Sequence, residues 1–122
     1  SQADLTGTWY AMGVAGNIAS AYLGETDRCK IRLSSTGAVI PSGSSCSYRI
    51  WSGPGTSSIT SGALRINTAC AITGSVRFCN IRGCDTMRIQ FAQMERNKTA
   101  FALTGYSMSN PNYVIFMESI KQ

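Results

Sequence analysis

The sequence predicts an all-β domain whose antiparallel sheet closes into a barrel, and three observations lead there. Runs of β-branched and aromatic residues recur about every ten positions, separated by Gly, Ser, Pro and Asn clusters, the pattern of short strands joined by tight turns. In "RCKIRL", Arg28, Lys30 and Arg32 face one way while Cys29, Ile31 and Leu33 face the other, because strand side chains repeat every two residues. "TMRIQFAQ" repeats the pattern with Met87, Ile89 and Phe91 inward and Arg88 and Gln90 outward. Two half-buried strands so far apart in the chain need one shared interior, which a closed barrel provides.

Strands are expected at 6–13, 28–33, 36–41, 46–51, 62–68, 70–78, 86–94, 98–106 and 112–120. The first begins in "LTGTWYAMG", where Thr6-Gly7 turns the chain in and Trp9 and Tyr10 point to opposite faces; Trp9 is expected to close one end of the barrel. Between Ala15 and Asp27, "NIASAYLGE" carries Ile18, Tyr22 and Leu23 near helical spacing, with Asn17 as a cap and Gly24 as a stop, and is the best helix candidate. A flap over one barrel end fits the same residues. "SGPGTSSITSG", from Ser52 to Gly62, reads as an exposed turn region, and Asn97-Lys98-Thr99 as a polar turn between strands.

At 122 residues the chain holds one core, a single domain spanning 1–122 with no repeat or linker. With no apolar run of about 18 residues, no membrane span is expected. The formal charge of +5 is spread along the chain without Lys/Arg clusters, so nucleic acid is not an expected partner. Trp51, Tyr48 and Tyr106 read as rim or surface aromatics of the kind that anchor protein interfaces.

Five cysteines, Cys29, Cys46, Cys70, Cys79 and Cys84, point to disulfides and an oxidising compartment, hence to a secreted or periplasmic protein. Ser1-Gln2-Ala3 is neither basic nor followed by an apolar stretch, as in a mature or trimmed form. If Gly74-Ser75 is a two-residue hairpin turn, Cys70 faces Cys79. Cys70–Cys79 is therefore the first expectation and Cys70–Cys84 the second. Cys29 and Cys46 flank a hairpin that their pairing would lock, but spacing alone leaves the connectivity open. Cys79 and Cys84 have a plausible metal-ligand spacing; with no histidine to complete a set, no metal or other cofactor is expected.

The absence of histidine also removes Ser-His-Asp and Cys-His catalysis and the ordinary neutral-pH proton shuttle. None of the six carboxylates, Asp4, Glu25, Asp27, Asp85, Glu95 and Glu118, sits in a recognisable acid/base motif, and they read as solvated turn residues. The expectation is a binding protein, not an enzyme.

Three family resemblances bear on what it binds. "LTGTWY" followed by "CKIRLSSTGAV", with "WSG" and "RINT" later, resembles avidin-like proteins; the tryptophans that wall their pocket are replaced here by Cys, Arg and Met, so this likeness implies fold and not biotin binding. "GTWY" is similar to the G-x-W signature of lipocalins, in which the tryptophan closes the barrel floor. Leu5-Thr6-Gly7-Thr8-Trp9, Cys29-Lys30-Ile31-Arg32-Leu33, Cys46 and Gly62-Ala63-Leu64-Arg65-Ile66 together resemble the periplasmic inhibitors of serralysin-type metalloproteases and the outer-membrane lipoproteins with the same domain, over about the first two thirds of the chain.

That third likeness implies a single eight-stranded antiparallel up-and-down β-barrel of calycin type, a bridge matching Cys29–Cys46, and inhibition by an N-terminal arm. Ser1, Gln2 and Ala3 would enter the protease cleft, with the terminal amine as a zinc ligand and Asp4 behind them. The leading expectation is a protein partner, a secreted protease, met by Ser1 to Asp4 and by Arg28, Lys30, Arg32 and Trp51. The alternatives are a carrier of a small hydrophobic ligand and an envelope or adhesion protein using the basic face of Arg28, Lys30 and Arg32. A carrier predicts an open cavity lined by Ile31, Leu33, Met87, Ile89, Phe91, Phe101 and Leu103; an inhibitor predicts that they fill a solid core.

Overall fold

A computed structural model describes the backbone of residues 1–122 and every side chain except that of Leu23. After a 3-10 turn at Gln2–Leu5 come eight strands: β1 (Gly7–Asn17), β2 (Tyr22–Leu33), β3 (Ser45–Ile50), β4 (Gly53–Ile66), β5 (Ile72–Asn80), β6 (Gly83–Met94), β7 (Ala100–Ser107) and β8 (Tyr113–Lys121). Each pairs antiparallel with the next and β8 returns to β1, closing an up-and-down barrel with no free sheet edge.

The alternation read in β2 holds. Cys29 and Leu33 are buried while Arg28 and Lys30 are exposed. In β6 it holds only to Ile89, because the register shifts between Ile89 and Phe91. The extra residue reverses the phase: Phe91 is 71% exposed, and Ala92 and Met94 take the inward places. Trp9, Leu33, Ile59, Leu64, Ile72 and Phe101 belong to the core, which fills the half of the barrel nearest the N-terminal turn.

The helix expected in 15–27 is absent; these residues end β1 and begin β2, with Ala15 opposite Glu25. Asn17 does cap backbone, its Oδ1 accepting from the Ala19 N–H at 2.9 Å, but as part of a hairpin turn that leaves Ile18 exposed. The stretch 36–41 is not a strand. It forms single bridges, Val39 to Leu33 and Ala38 to Ala63, as it crosses between neighbouring strands.

The expected loop at 52–62 lies almost wholly within β4, because its backbone pairs first with β3, over 53–58, and then with β5, from Ser58 on, and this outweighs its poor strand composition. Its glycine has a packing role: a Cβ on Gly55 would lie 2.3 Å from Cζ of Tyr48, whose ring covers that backbone. Gly74 likewise sits inside β5, not in a turn. Its φ of 132° suits glycine alone, and a Cβ there would meet the Ala63 carbonyl oxygen at 2.0 Å.

Losing that turn overturns the Cys70–Cys79 pairing, and Cys70–Cys84 with it. From Cys70 the chain runs along β5, so Cys79 lies toward the opposite end of the barrel, roughly 25–30 Å away at about 3.3 Å per residue. Cys79 instead bonds Cys84 across the β5–β6 hairpin, and Cys29 bonds Cys46 across β2–β3. Cys70 is a free thiol with a left-handed backbone, φ 61°.

Candidate functional site

The two ends of the barrel differ. At one lie the N-terminal turn and the connections β2–β3, β4–β5 and β6–β7; at the other are the hairpins β1–β2, β3–β4, β5–β6 and β7–β8. The first end is closed. Trp9 is 1% exposed, its indole stacks edge-on against Phe101 at 4.8 Å, and its Nε1 donates to the Leu5 carbonyl at 2.8 Å. Lys121 Nζ lies 5.4 Å from the Trp9 ring centre and donates to the Asp4 carbonyl at 2.9 Å.

Ser1 to Asp4 are folded onto this closed end. Gln2 Nε2 donates to the carbonyls of Leu64 at 2.8 Å and Thr36 at 3.1 Å, while its Oε1 accepts from the Ile66 N–H at 3.1 Å. The Asp4 carboxylate accepts from the Ser1 ammonium and from Lys98 Nζ, the latter at 2.9 Å. The ammonium first, and then Lys98, hold the Asp4 carboxyl down at about 2.

The other end opens into a cavity of about 370 Å³. Glu25 and Asp27 of β2, Tyr48 and Ile50 of β3, Phe78 and Asn80 of β5, Arg82 of the β5–β6 hairpin, Asp85 and Met87 of β6, and Tyr113 and Ile115 of β8 line it, with the Cys29–Cys46 bridge also on its wall. Below it, only about 50 Å³ remains among Ile31, Leu33, Met87, Ile89, Phe101 and Leu103. Those residues therefore mostly pack a core, and Phe91, expected with them, points out. The space sits nearer the hairpins than the sequence suggested.

Continuing the alternation of "RCKIRL" backward by two and four residues brings Asp27 and Glu25 to the inner face. The two carboxylates, expected as solvated turn residues in a helical segment, are thus inward-facing strand residues at the cavity. The Tyr113 hydroxyl donates to Glu25 from β8, on the far side of β1. Burial, then this bond, raises Tyr113 well above the ordinary phenol range, so it remains a neutral donor.

Asp27 Oδ2 is buried with no donor facing it. Burial first, and then the neighbouring Glu25 carboxyl, push Asp27 up to about 8. Burial therefore favours the neutral form of the Asp27 carboxyl beside Glu25. Asp85 is held differently, accepting from the hydroxyls of Ser107 and Ser109 and from the Thr86 N–H. Among the described residues, no group of His, Cys, Asp and Glu side chains is placed to hold a metal ion.

The remaining residues singled out in the sequence are scattered. Arg28 and Lys30 are exposed on the outer face of β2; Arg32 is half-buried and donates to the Ser42 carbonyl at 2.6 Å. Trp51, 85% exposed, stands on the β3–β4 hairpin at the open end, away from Ser1 to Asp4. Ile18, Ile81 and Met108 are exposed on the other three hairpins of that end, so each hairpin around the mouth carries a large apolar side chain. No helix is long and apolar enough to cross a membrane. No family model matches the chain, and no curated protein matches it.

Proposed function

We propose that the protein is a non-catalytic binding barrel, secreted or periplasmic, that takes a small amphipathic ligand with a cationic head, such as an alkylamine, into its open end. The observation that carries this reading is the cavity of about 370 Å³, within the usual range for small-molecule sites, whose apolar walls converge on the Glu25–Asp27 pair. A protonated amine is matched there by three carboxyl groups, Glu25, Asp27 and Asp85, against one cation in the lining, Arg82. The apolar tail has Ile50, Phe78 and Ile115 on the wall and Trp51 and Ile81 at the lip.

The test compares decylammonium with decanoate below their micellar concentrations. Decylammonium is expected to blue-shift and enhance the emission of exposed Trp51, and to lose affinity in Glu25→Gln; decanoate is expected to do neither. Equal binding of both chains, or of neither, overturns the reading. Native mass spectrometry of freshly purified protein provides a second check, since a retained ligand would carry the mass of an amine.

A second reading is the protease inhibitor implied by the resemblance to the serralysin-inhibitor family, favoured by the Cys29–Cys46 bridge. It requires Ser1 to Ala3 to leave the closed end, giving up the Ser1–Asp4 pair and the three Gln2 hydrogen bonds. Deleting Ser1 to Ala3 is then expected to abolish inhibition of a secreted metalloprotease, and undiminished inhibition overturns it.

A further inference from the structure

The outer surface of the barrel is divided. On β3, β4 and β5 the exposed positions are mostly polar, with Ser45, Ser47, Arg49, Thr56, Ser58 and Arg77 among them. On β1 and β8 they are apolar except for Glu118: Met12 is 65% exposed and Ile120 63%, and Tyr10, Val14 and Phe116 are also exposed. Registers place these side by side, Tyr10 with Ile120 and Val14 with Phe116, and Thr104 of β7 continues the last row to the exposed Phe91 of β6. A contiguous apolar face of this kind on one side of a barrel marks an interaction surface. A lipid-spanning barrel would instead carry its apolar band all the way round.

The charges on this face identify its occupant. In the central row, Arg28, Met12 and Glu118 lie side by side on β2, β1 and β8. Arg28 and Glu118 are both exposed, and neither forms an ion pair among the described residues. A twofold axis in the plane of contact, running along β1, exchanges the two flanking strands. It sets Arg28 of each copy against Glu118 of the other and stacks Met12, Tyr10 and Val14 on their own counterparts. An axis running across the strands through this row would oppose Glu118 to Glu118 and Arg28 to Arg28, a like-charge arrangement. Of these two axes, charge selects the first.

We infer that the chain forms a homodimer through the outer face of β1 and β8, with reciprocal Arg28–Glu118 pairs flanking an apolar seam centred on Met12. The ligand mouth is at the end of the barrel and remains open, so this assembly is independent of what the cavity holds.

Sedimentation velocity on the purified, oxidised protein tests it. The wild type is expected to be a dimer, and Arg28→Glu and Glu118→Arg each to weaken it at least about tenfold by placing like charges in contact. The doubly reversed protein, Arg28→Glu with Glu118→Arg, is expected to recover dimerisation. Met12→Asp on the axis is expected to give monomer. Thermal melts and near-ultraviolet circular dichroism establish that each variant is folded; all these positions are exposed. A wild-type monomer at its highest soluble concentration overturns the inference, as does failure of the double reversal to recover a dimer that both folded single variants have lost. Single reversals that leave dimerisation unchanged overturn it equally.

Discussion

Trp9 donates its indole N–H to the carbonyl of Leu5, so the side chain that fills the closed end of the barrel also ties down the turn that covers it. Both residues are buried, and the Leu5 carbonyl has little access to a replacement donor. Trp9→Phe keeps much of the apolar contact but orphans this acceptor, and is expected to cost about 1–3 kcal/mol. Trp9→Ala adds a cavity and is expected to cost about 3–5 kcal/mol. Urea denaturation followed by circular dichroism reads both, and a Trp9→Phe protein as stable as the wild type would show that the hydrogen bond contributes nothing.

The acid pair at the mouth makes stability depend on pH with an unusual sign. Asp27 has its pKa raised to about 8 in the folded protein, whereas an unfolded aspartate titrates near pH 4, at about 3.9. Between these values the folded state binds the extra proton, so stability is favoured at the acid end of the window and declines as pH rises toward 8. Asp27→Asn removes this dependence. Its melting temperature is expected to approach or exceed that of the wild type as the pH passes 8, and a wild-type profile flat from pH 4 to 8 would rule out the raised Asp27.

The two bridges should contribute unequally. Cys29–Cys46 spans 17 positions and Cys79–Cys84 only 5, so loop-closure entropy assigns about 3 kcal/mol to the first and about 2 kcal/mol to the second. Replacing each pair by serine and comparing denaturation midpoints checks the order. Peptide mapping under acidic conditions is expected to find those two cystines with Cys70 alkylated alone, and a peptide joining Cys70 to Cys79 would contradict the fold.

Gly74 offers a sharp backbone test. Ala in its place would have to adopt a φ of 132° with its Cβ against the Ala63 carbonyl, and Gly74→Ala is expected to destabilise by roughly 1–3 kcal/mol. Had Gly74-Ser75 been a turn tip, as the sequence suggests, the β4–β5 pairing around it would be little affected. Hydrogen exchange of the Ala63 and Arg65 amides, which face β5, distinguishes the two.

What was legible in the sequence was whatever a strand's own geometry imposes. The alternation of Cys29, Ile31 and Leu33 against Arg28, Lys30 and Arg32 follows from a two-residue period and survived intact. Glycine- and serine-rich β4 is not legible as a strand because composition reports intrinsic preference, whereas hydrogen bonds to β3 and then to β5 along its length decide its conformation. Phe91 was misassigned because a bulge is a property of a pair of strands and leaves no mark on one of them.

An all-β chain, the wet and buried faces of β2, and a tryptophan behind the first turn are therefore written in local sequence. Which barrel end is filled and which is open, which cysteines meet, and that Glu25 receives a hydrogen bond from Tyr113, 88 positions away in the chain, come from the assembled barrel. Side-chain periodicity is set by each residue's own backbone, but closure, register and cavity depend on where distant strands come to lie. No local pattern encodes that.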